Sequence, residues 1–277
     1  MPMTLISIIL PVYNGERTLT KAIDSVIAQT YHDWELIIVN DCSTDNTQKI
    51  IEEYCIKDTR ITYIPQNKNE GIQKSLNHGI AHTKGEYIAR IDADDIWSDK
   101  EKLRTQGYFL DTHPAHVLVG TGAIIIDQYS KELSRYLPPS DDMSIRERIL
   151  SKNCFVHASV LIQKKALDKV GPYSETINAR HVEDHELWLR LGTVGMLANI
   201  PSYSVSLTAS PDGITAQHRL IQAYRMLLLS VKFHKKYPRF FLGICFAIAR
   251  ICFFTIVAVL PFPKHVLYKI QAKSKEH

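Results

Sequence analysis

Tyr87-Ile88-Ala89-Arg90-Ile91-Asp92-Ala93-Asp94-Asp95 sets a short β-favouring run directly before three carboxylates in four residues. The run reads as a buried strand over Glu86 to Ile91. Three like charges at a strand's end repel one another and sit together at ease only around a cation. An all-oxygen donor set suits Mg²⁺ or Mn²⁺, which also bridge phosphate oxygens. The same cluster could instead cap a helix starting near Trp97, because Asp is favoured there; the segment alone leaves both uses open.

Upstream, Leu5 to Pro11 and Glu35 to Asn40 read as two more buried strands, with a short one over Ile61 to Ile64. Helices are predicted between them. Thr18 to Gln29 carries apolar residues at a helical period, Thr44 to Tyr54 follows a polar turn, and Gly71 to His82 forms the third. This β-α-β-α-β-α-β order predicts an α/β fold with a mostly parallel sheet and helices on both faces. Ligands in such sheets bind outside the carboxyl ends of the strands. The loops Pro11-Val12-Tyr13-Asn14-Gly15-Glu16, Asn40-Asp41-Cys42-Ser43-Thr44-Asp45 and Asp92 to Asp95 all fall on that edge. Asp41 is placed to accept a hydrogen bond from a nucleobase. Uracil offers an N3–H donor and cytosine does not, which favours UDP or dTDP over CMP and leaves GDP open. Asp41 and Ser43 also fit ordinary turn chemistry.

Further helices are expected over Lys100 to His113, from a capping box at Ser144-Ile145-Arg146-Glu147 to Ser151, and over Glu183 to Val194. Strands are expected over Val117 to Asp127, Val156 to Gln163 and Asn199 to Leu207. Glu183 and Asp184 open their helix where the dipole favours negative charge. They therefore serve as a helix start whatever else they do. His157 reads equally as a site residue or a satisfied core histidine, and Gly171-Pro172-Tyr173 as a structural turn.

Composition bounds the rest. The 277 residues are 45% hydrophobic and 22% charged, ordinary for a globular protein. Five cysteines without a CxxC pair point to free thiols in a reducing compartment. No basic segment precedes the first apolar run, so it does not read as a signal peptide. The net charge of +4 conceals an asymmetry: residues 213–275 hold 11 Lys and Arg and no Asp or Glu, while the first 212 carry 22 basic and 28 acidic residues. An acidic body with a basic, apolar tail suits an anionic lipid surface. Nucleic acid would also attract a basic tail, but the apolar run fits lipid better.

Taken jointly, these motifs resemble glycosyltransferase family 2. The resemblance runs over about residues 5 to 215 and includes Asn69-Glu70-Gly71, Ser75-Leu76-Asn77-His78-Gly79-Ile80 and Lys102-Leu103 with Gln106. It implies a GT-A fold, a Rossmann-like nucleotide-binding sheet, and inverting transfer from a nucleotide-sugar with Mn²⁺ or Mg²⁺. It places Pro11, Val12, Tyr13, Glu16, Asp41, Ser43, Asn69, Gly71, Asn77, Arg90, Asp92 and Ala93 around the nucleotide-sugar. Asp92 and Asp94 fill the metal motif, with Asp95 sharing that role. It makes Asp184 the catalytic base, with Glu183 as positioning residue or reserve. One departure stands out. Relatives often carry an Arg and then a metal-binding His in the strand and loop after the Glu-Asp helix, where this chain has Thr208 and Ser210; His218 is a conceivable substitute.

Phe240 to Leu260 is 21 residues, apolar except for Arg250 and Thr255, long enough to span a bilayer. Arg250 near its centre and basic residues on both flanks favour peripheral or re-entrant attachment at the cytoplasmic membrane face. A true span, and packing on the protein's own domain or on a partner subunit, are the alternatives. The expected organisation is a catalytic domain over 1–215 and a membrane-associating helical tail over 216–277, acting on a glycan or lipid-linked acceptor. Two competing readings are a non-catalytic assembly subunit and a sugar-nucleotide nucleotidyltransferase. The latter would normally carry a Gly-rich basic phosphate loop after the first strand, and Pro11 to Arg17 is not one. Glycoside hydrolysis would leave the nucleotide loops unexplained.

Overall fold

The computed structural model describes residues 4–209 and 218–259. Its strands are β1 (Ile6–Val12), β2 (Trp34–Asn40), β3 (Ile61–Pro65), β4 (Tyr87–Arg90), β5 (Ile96–Trp97), β6 (His116–Ile126), β7 (Glu132–Tyr136), β8 (Leu161–Gln163) and β9 (Met196–Thr208). The helices are α1 (Leu19–Ile27), α2 (Thr47–Lys57), α3 (Ile72–Ala81), α4 (Lys102–Thr112), α5 (Asp142–Arg148), α6 (Lys164–Val170), α7 (Glu183–Leu191), α8 (Arg219–Lys232) and α9 (Phe240–Val259). One sheet holds all the strands, in the order β3-β2-β1-β4-β8-β6-β9-β5, with β7 paired to β6. The first four strands are mutually parallel, as the alternating pattern predicts.

Strand residues alternate between the two faces, so a sheet covered on both sides needs apolar residues at consecutive positions. In β1, Ile8 and Leu10 pack with α1, while Ile9 between them joins Leu76 of α3 and Trp188 of α7 in a second core. Gly85 lets the chain pass close to β1: a Cβ there would lie 2.5 Å from the Leu5 carbonyl oxygen.

Three local expectations are corrected. The Val156–Gln163 stretch is not one strand: a 3-10 turn over His157–Ser159 precedes β8. Ser159 explains the break, because its hydroxyl bonds the Val156 and Thr121 carbonyls and turns the chain back on itself. Helix α5 is not opened by a Ser144 capping box. Asp141 is its N-cap and accepts from the Ser144 N–H at 2.9 Å. Nor do the carboxylates after β4 cap a helix, since Ile96–Trp97 pairs with β9 and α4 begins only at Lys102.

The apolar tail has a docked side. Met226 and Leu229 of α8, and Phe233 at its C-cap, belong to the second core. On α9, Ala247 is buried and Gly243 lies so close to Leu150 that a Cβ would meet its Cβ at 2.9 Å. Arg250 turns to the same side, its Nη1 donating to the Ser151 carbonyl at 2.6 Å. That bond accounts for an arginine in the middle of an apolar helix. Phe241, Phe246, Phe253 and Ile256 remain exposed. Ser210 and the residues after Val259, where the sequence Pro261-Phe262-Pro263 could break a re-entrant helix, lie outside the described residues.

Candidate active site

The loops after β1 and β2 are stitched together. The Asn14 N–H donates to the Ser43 hydroxyl at 2.9 Å, and the Gly15 N–H to Thr47 Oγ1 at 2.8 Å. The Glu16 carboxylate accepts from the Asn46 N–H at 3.1 Å. Asn14 and Cys42 take positive φ, 53° and 61°, in the tight turns this requires. Asp41 is buried and its two oxygens accept from the N–H groups of Glu70 at 2.7 Å and Gly71 at 2.9 Å, with Gly71 at φ +87°. These loops form a floor from buried Pro11 and Val12, with Tyr13 half exposed and Asn69 exposed at its rim. Asn77 faces a different task. Its amide clamps Tyr173, donating to the Tyr173 carbonyl and accepting from its N–H, each at 2.9 Å.

After β4, a turn closed by the Asp95 N–H on the Asp92 carbonyl gathers the carboxylates. Oxygens of Asp92, Asp94 and Asp95 all lie within 4.8 Å of one another, with Ala93 between them. Buried Arg90 forks onto Asp92: Nη1 donates to Oδ2 at 2.6 Å and Nη2 to Oδ1. Asp94 and Asp95 compete for what charge the site can hold. Burial raises both pKa values, and the charge of Asp92 raises them further, with Asp95 pushed well above the carboxylate range. Asp94 lies in this crowded loop yet reaches solvent. Hard oxygen donors that resist ionising together fit a divalent cation, with Asp94 and Asp95 the less encumbered ligands. Thr208, at the position where the resemblance implies an Arg, donates its hydroxyl to the Asp94 carbonyl at 2.9 Å, and its backbone hydrogen-bonds the Asp95 carboxylate. It braces the carboxylate loop without being a strong metal ligand.

The second acidic pair sits at the start of α7. Asp184 accepts from the Asn153 amide at 2.6 Å and from the His185 N–H at 2.7 Å, so its orientation is fixed. Glu183 has a buried Oε2 without a hydrogen-bond partner among the described residues. Burial, and then the charge of Asp184, push its pKa up to about 7. Glu183 therefore keeps its proton to a higher pH than a free carboxyl does, beside an Asp184 side chain held by two donors.

Tyr173 links the two clusters. It is buried, bonded through its hydroxyl to His157 Nε2 at 2.8 Å, and lies within the fields of Arg90 and Asp92 on one side and Glu183 and Asp184 on the other. His157 is held neutral by burial and by Arg90. Sequence reading treated Gly171-Pro172-Tyr173 as a turn only. That holds for Gly171 and Pro172, whose carbonyls accept from Arg190, but Tyr173 reaches the site. Nothing in the sequence marked Asn153.

The raised pKa of Glu183 predicts a pH effect on stability. A carboxyl whose pKa rises from 4.5 to about 7 on folding keeps its proton where the unfolded chain has lost it, so stability falls as pH rises through that window. Glu183→Gln removes this loss. Relative to wild type, the variant should be stabilised by about 3 kcal/mol more at pH 8 than at pH 4. Urea unfolding of both proteins at the two pH values measures it, and a pH-independent difference would contradict the assignment.

A parallel α/β half with acidic and nucleotide-type loops on its carboxyl edge, continued by a mixed sheet, defines a GT-A glycosyltransferase architecture. The chain belongs to glycosyltransferase family 2: residues 7–171 match the family described as "Glycosyl transferase family 2". It is 36% identical over 186 residues to the putative glycosyltransferase EpsE of Bacillus subtilis, a match covering 67% of this chain and 66% of that protein. It therefore spans slightly less than two thirds of that relative. It is 31% identical to the UDP-Glc:alpha-D-GlcNAc-diphosphoundecaprenol beta-1,3-glucosyltransferase WfgD of Escherichia coli, over 68% of this chain and 69% of that one. Among solved structures, S. aureus TarS 1-349 in complex with UDP-GlcNAc superposes with a TM-score of 0.67 at 19% identity, covering 88% of this chain and 72% of that one. The mannosyltransferase PcManGT from Pyrobaculum calidifontis, in complex with GDP-Man and Mn²⁺, gives 0.65 at 17% identity, covering 98% and 80%. At these identities the structural likenesses establish the fold.

Proposed function

We propose that this chain is an inverting glycosyltransferase that moves a sugar from a UDP-sugar to a hydroxyl of a lipid-linked glycan acceptor at the cytoplasmic face of the cell membrane, in cell-surface polysaccharide synthesis. The observation that carries the reading is the pairing of two acid clusters around buried Tyr173, one suited to a cation and the other to a base. Asp184 takes the proton of the acceptor hydroxyl as its oxygen forms the new bond to the anomeric carbon. The bond from that carbon to the diphosphate breaks, and the nucleoside diphosphate leaves with the electron pair. Asn153 keeps the receiving carboxylate oriented. A Mg²⁺ or Mn²⁺ ion held by Asp94 and Asp95, with Asp92, would neutralise charge on the leaving diphosphate.

Donor choice rests on Asp41. Each of its oxygens uses one lone pair on the 70–71 backbone and retains another for a nucleobase N–H. WfgD is named for a UDP-sugar donor, and the PcManGT complex holds GDP-Man, so UDP and GDP are the nucleotides to separate. Calorimetry with UDP, GDP and CMP, each with and without Mn²⁺, should give Mn²⁺-dependent binding of UDP and none of CMP. Failure of every nucleotide to bind would move the reading to a non-catalytic subunit that kept the fold.

A further inference from the structure

Between α8 and α9 runs an apolar groove of about 540 Å³ lined by His218, Leu220, Ile221, Tyr224, Ile251 and Thr255. Leu220, Ile221 and Tyr224 are each 38–49% exposed within it. The groove leads towards the base pair. The His218 ring stacks on His181 with centroids 4.1 Å apart and planes 11° from parallel, and His181 stands two residues before Glu183. Helix α8 grips the same backbone: Gln222 donates to the His181 carbonyl at 3.2 Å, and Arg225 donates to the Arg180 carbonyl.

Three arginines, Arg180, Arg219 and Arg225, stand at the junction between the groove and the Glu183–Asp184 pair. Arg180, Arg219 and Arg225 pair with no carboxylate among the described residues. Arg219 Nε is buried with no hydrogen-bond partner among them. His181 responds to the same surroundings, its pKa pushed down to about 4 by burial and by the fields of His218, Arg180 and Arg225. A ligand that suits both parts has an anionic head at the arginines and an apolar chain along the groove. A bare bilayer contact would use the apolar wall but leave buried Arg225 and the buried Nε of Arg219 unanswered. A free phosphate would leave the wall exposed.

We infer that the α8–α9 groove binds the acceptor's lipid chain while Arg180, Arg219 and Arg225 bind the phosphate that joins it to the glycan. This rests on the lipid-linked acceptor reading above and gives it a place in the fold. The acceptor's sugar then follows the His218–His181 stack to Asp184. The tail helices, on this assignment, form the acceptor half of the active site as well as a surface for lipid.

The test uses the full chain with farnesyl diphosphate as probe, inorganic pyrophosphate and farnesol as chain-free and phosphate-free controls, and saturating UDP with Mn²⁺ to fill the donor site. Farnesyl diphosphate should bind at least tenfold more tightly than either control. Ile221→Asp, in the wall, and Arg219→Ala, at the head, should each weaken it at least tenfold, with UDP affinity unchanged. Equal binding of farnesyl diphosphate and pyrophosphate would remove the chain site, and equal binding of farnesol would remove the phosphate site. Insensitivity to both substitutions would overturn the location. A protein that binds farnesyl diphosphate as stated but no nucleotide would retain this site while the donor reading fell, so the two failures are distinct.

Discussion

Asp184→Asn should lower kcat for sugar transfer by about 10²–10⁴-fold, the usual worth of a general base, while UDP affinity stays within a factor of two. The substitution keeps the size of the side chain and its bond from the His185 N–H. Its single carbonyl oxygen can serve only one of the two donors, so the bond from the Asn153 amide is the one given up. What it removes is the ability to take a proton. Glu183 is the natural substitute, being adjacent and carboxylic, but its pKa of about 7 makes it a half-protonated neighbour at neutral pH. Removing the charge of Asp184 also removes one cause of that elevation, so residual transfer that uses Glu183 as base should rise with pH through a midpoint below about 7. Single-turnover transfer with a lipid-linked acceptor, alongside UDP calorimetry, separates chemistry from binding. Near-full transfer by Asp184→Asn would return the base role to Glu183.

Asp94→Ala should abolish the Mn²⁺ dependence of UDP binding and lower kcat by on the order of 10²–10³-fold, the scale of losing one element of leaving-group stabilisation. Stability gives an independent readout with the opposite sign. In the metal-free protein burial, then the charge of Asp92, raise the pKa values of Asp94 and Asp95, and Asp94 raises Asp95 further, so ionising them costs stability at neutral pH and removing Asp94 relieves part of that cost. The metal-free variant should therefore melt at a higher temperature than the metal-free wild type, yet gain little from added Mn²⁺, which should stabilise the wild type. A carboxylate serving only as a turn residue would show neither the raised metal-free Tm nor the lost metal response. Thr208 sharpens the comparison. Because it braces the Asp94–Asp95 loop through neutral groups, Thr208→Val should weaken the metal response far less than Asp94→Ala.

Much of this protein is legible in its sequence because the relevant interactions are local or periodic. A parallel sheet covered on both faces demands continuous apolar strands, and amphipathic helices between them leave a period of 3.6; both patterns survive in one dimension from Leu5 to Ile91. The nucleotide loops and the Asp92–Asp95 cluster follow strand ends directly, so strand order alone places them on one edge. Past Asp95 the strands shorten to two or three residues in β5 and β8, and side-chain bonds such as those of Ser159 break the pattern, so the sequence no longer dictates element type.

Tertiary structure alone decided the division of labour. Asn153 and Asp184 lie 31 positions apart, and Asn77 and Tyr173 lie 96 apart, so no spacing rule joins them. That Glu183 keeps its proton up to about pH 7 follows from its burial, with Oε2 unpartnered among the described residues, beside Asp184, a property of neighbours brought in by folding. The place of Arg250 has the same origin. Composition sets an arginine in an apolar helix and makes insertion costly, but only the fold presents the Ser151 carbonyl that receives it. Sequence determined which chemical groups are available and the strand edge that gathers the nucleotide loops. Desolvation and long-range hydrogen bonds, which exist only once the chain is packed, determined what each group can do.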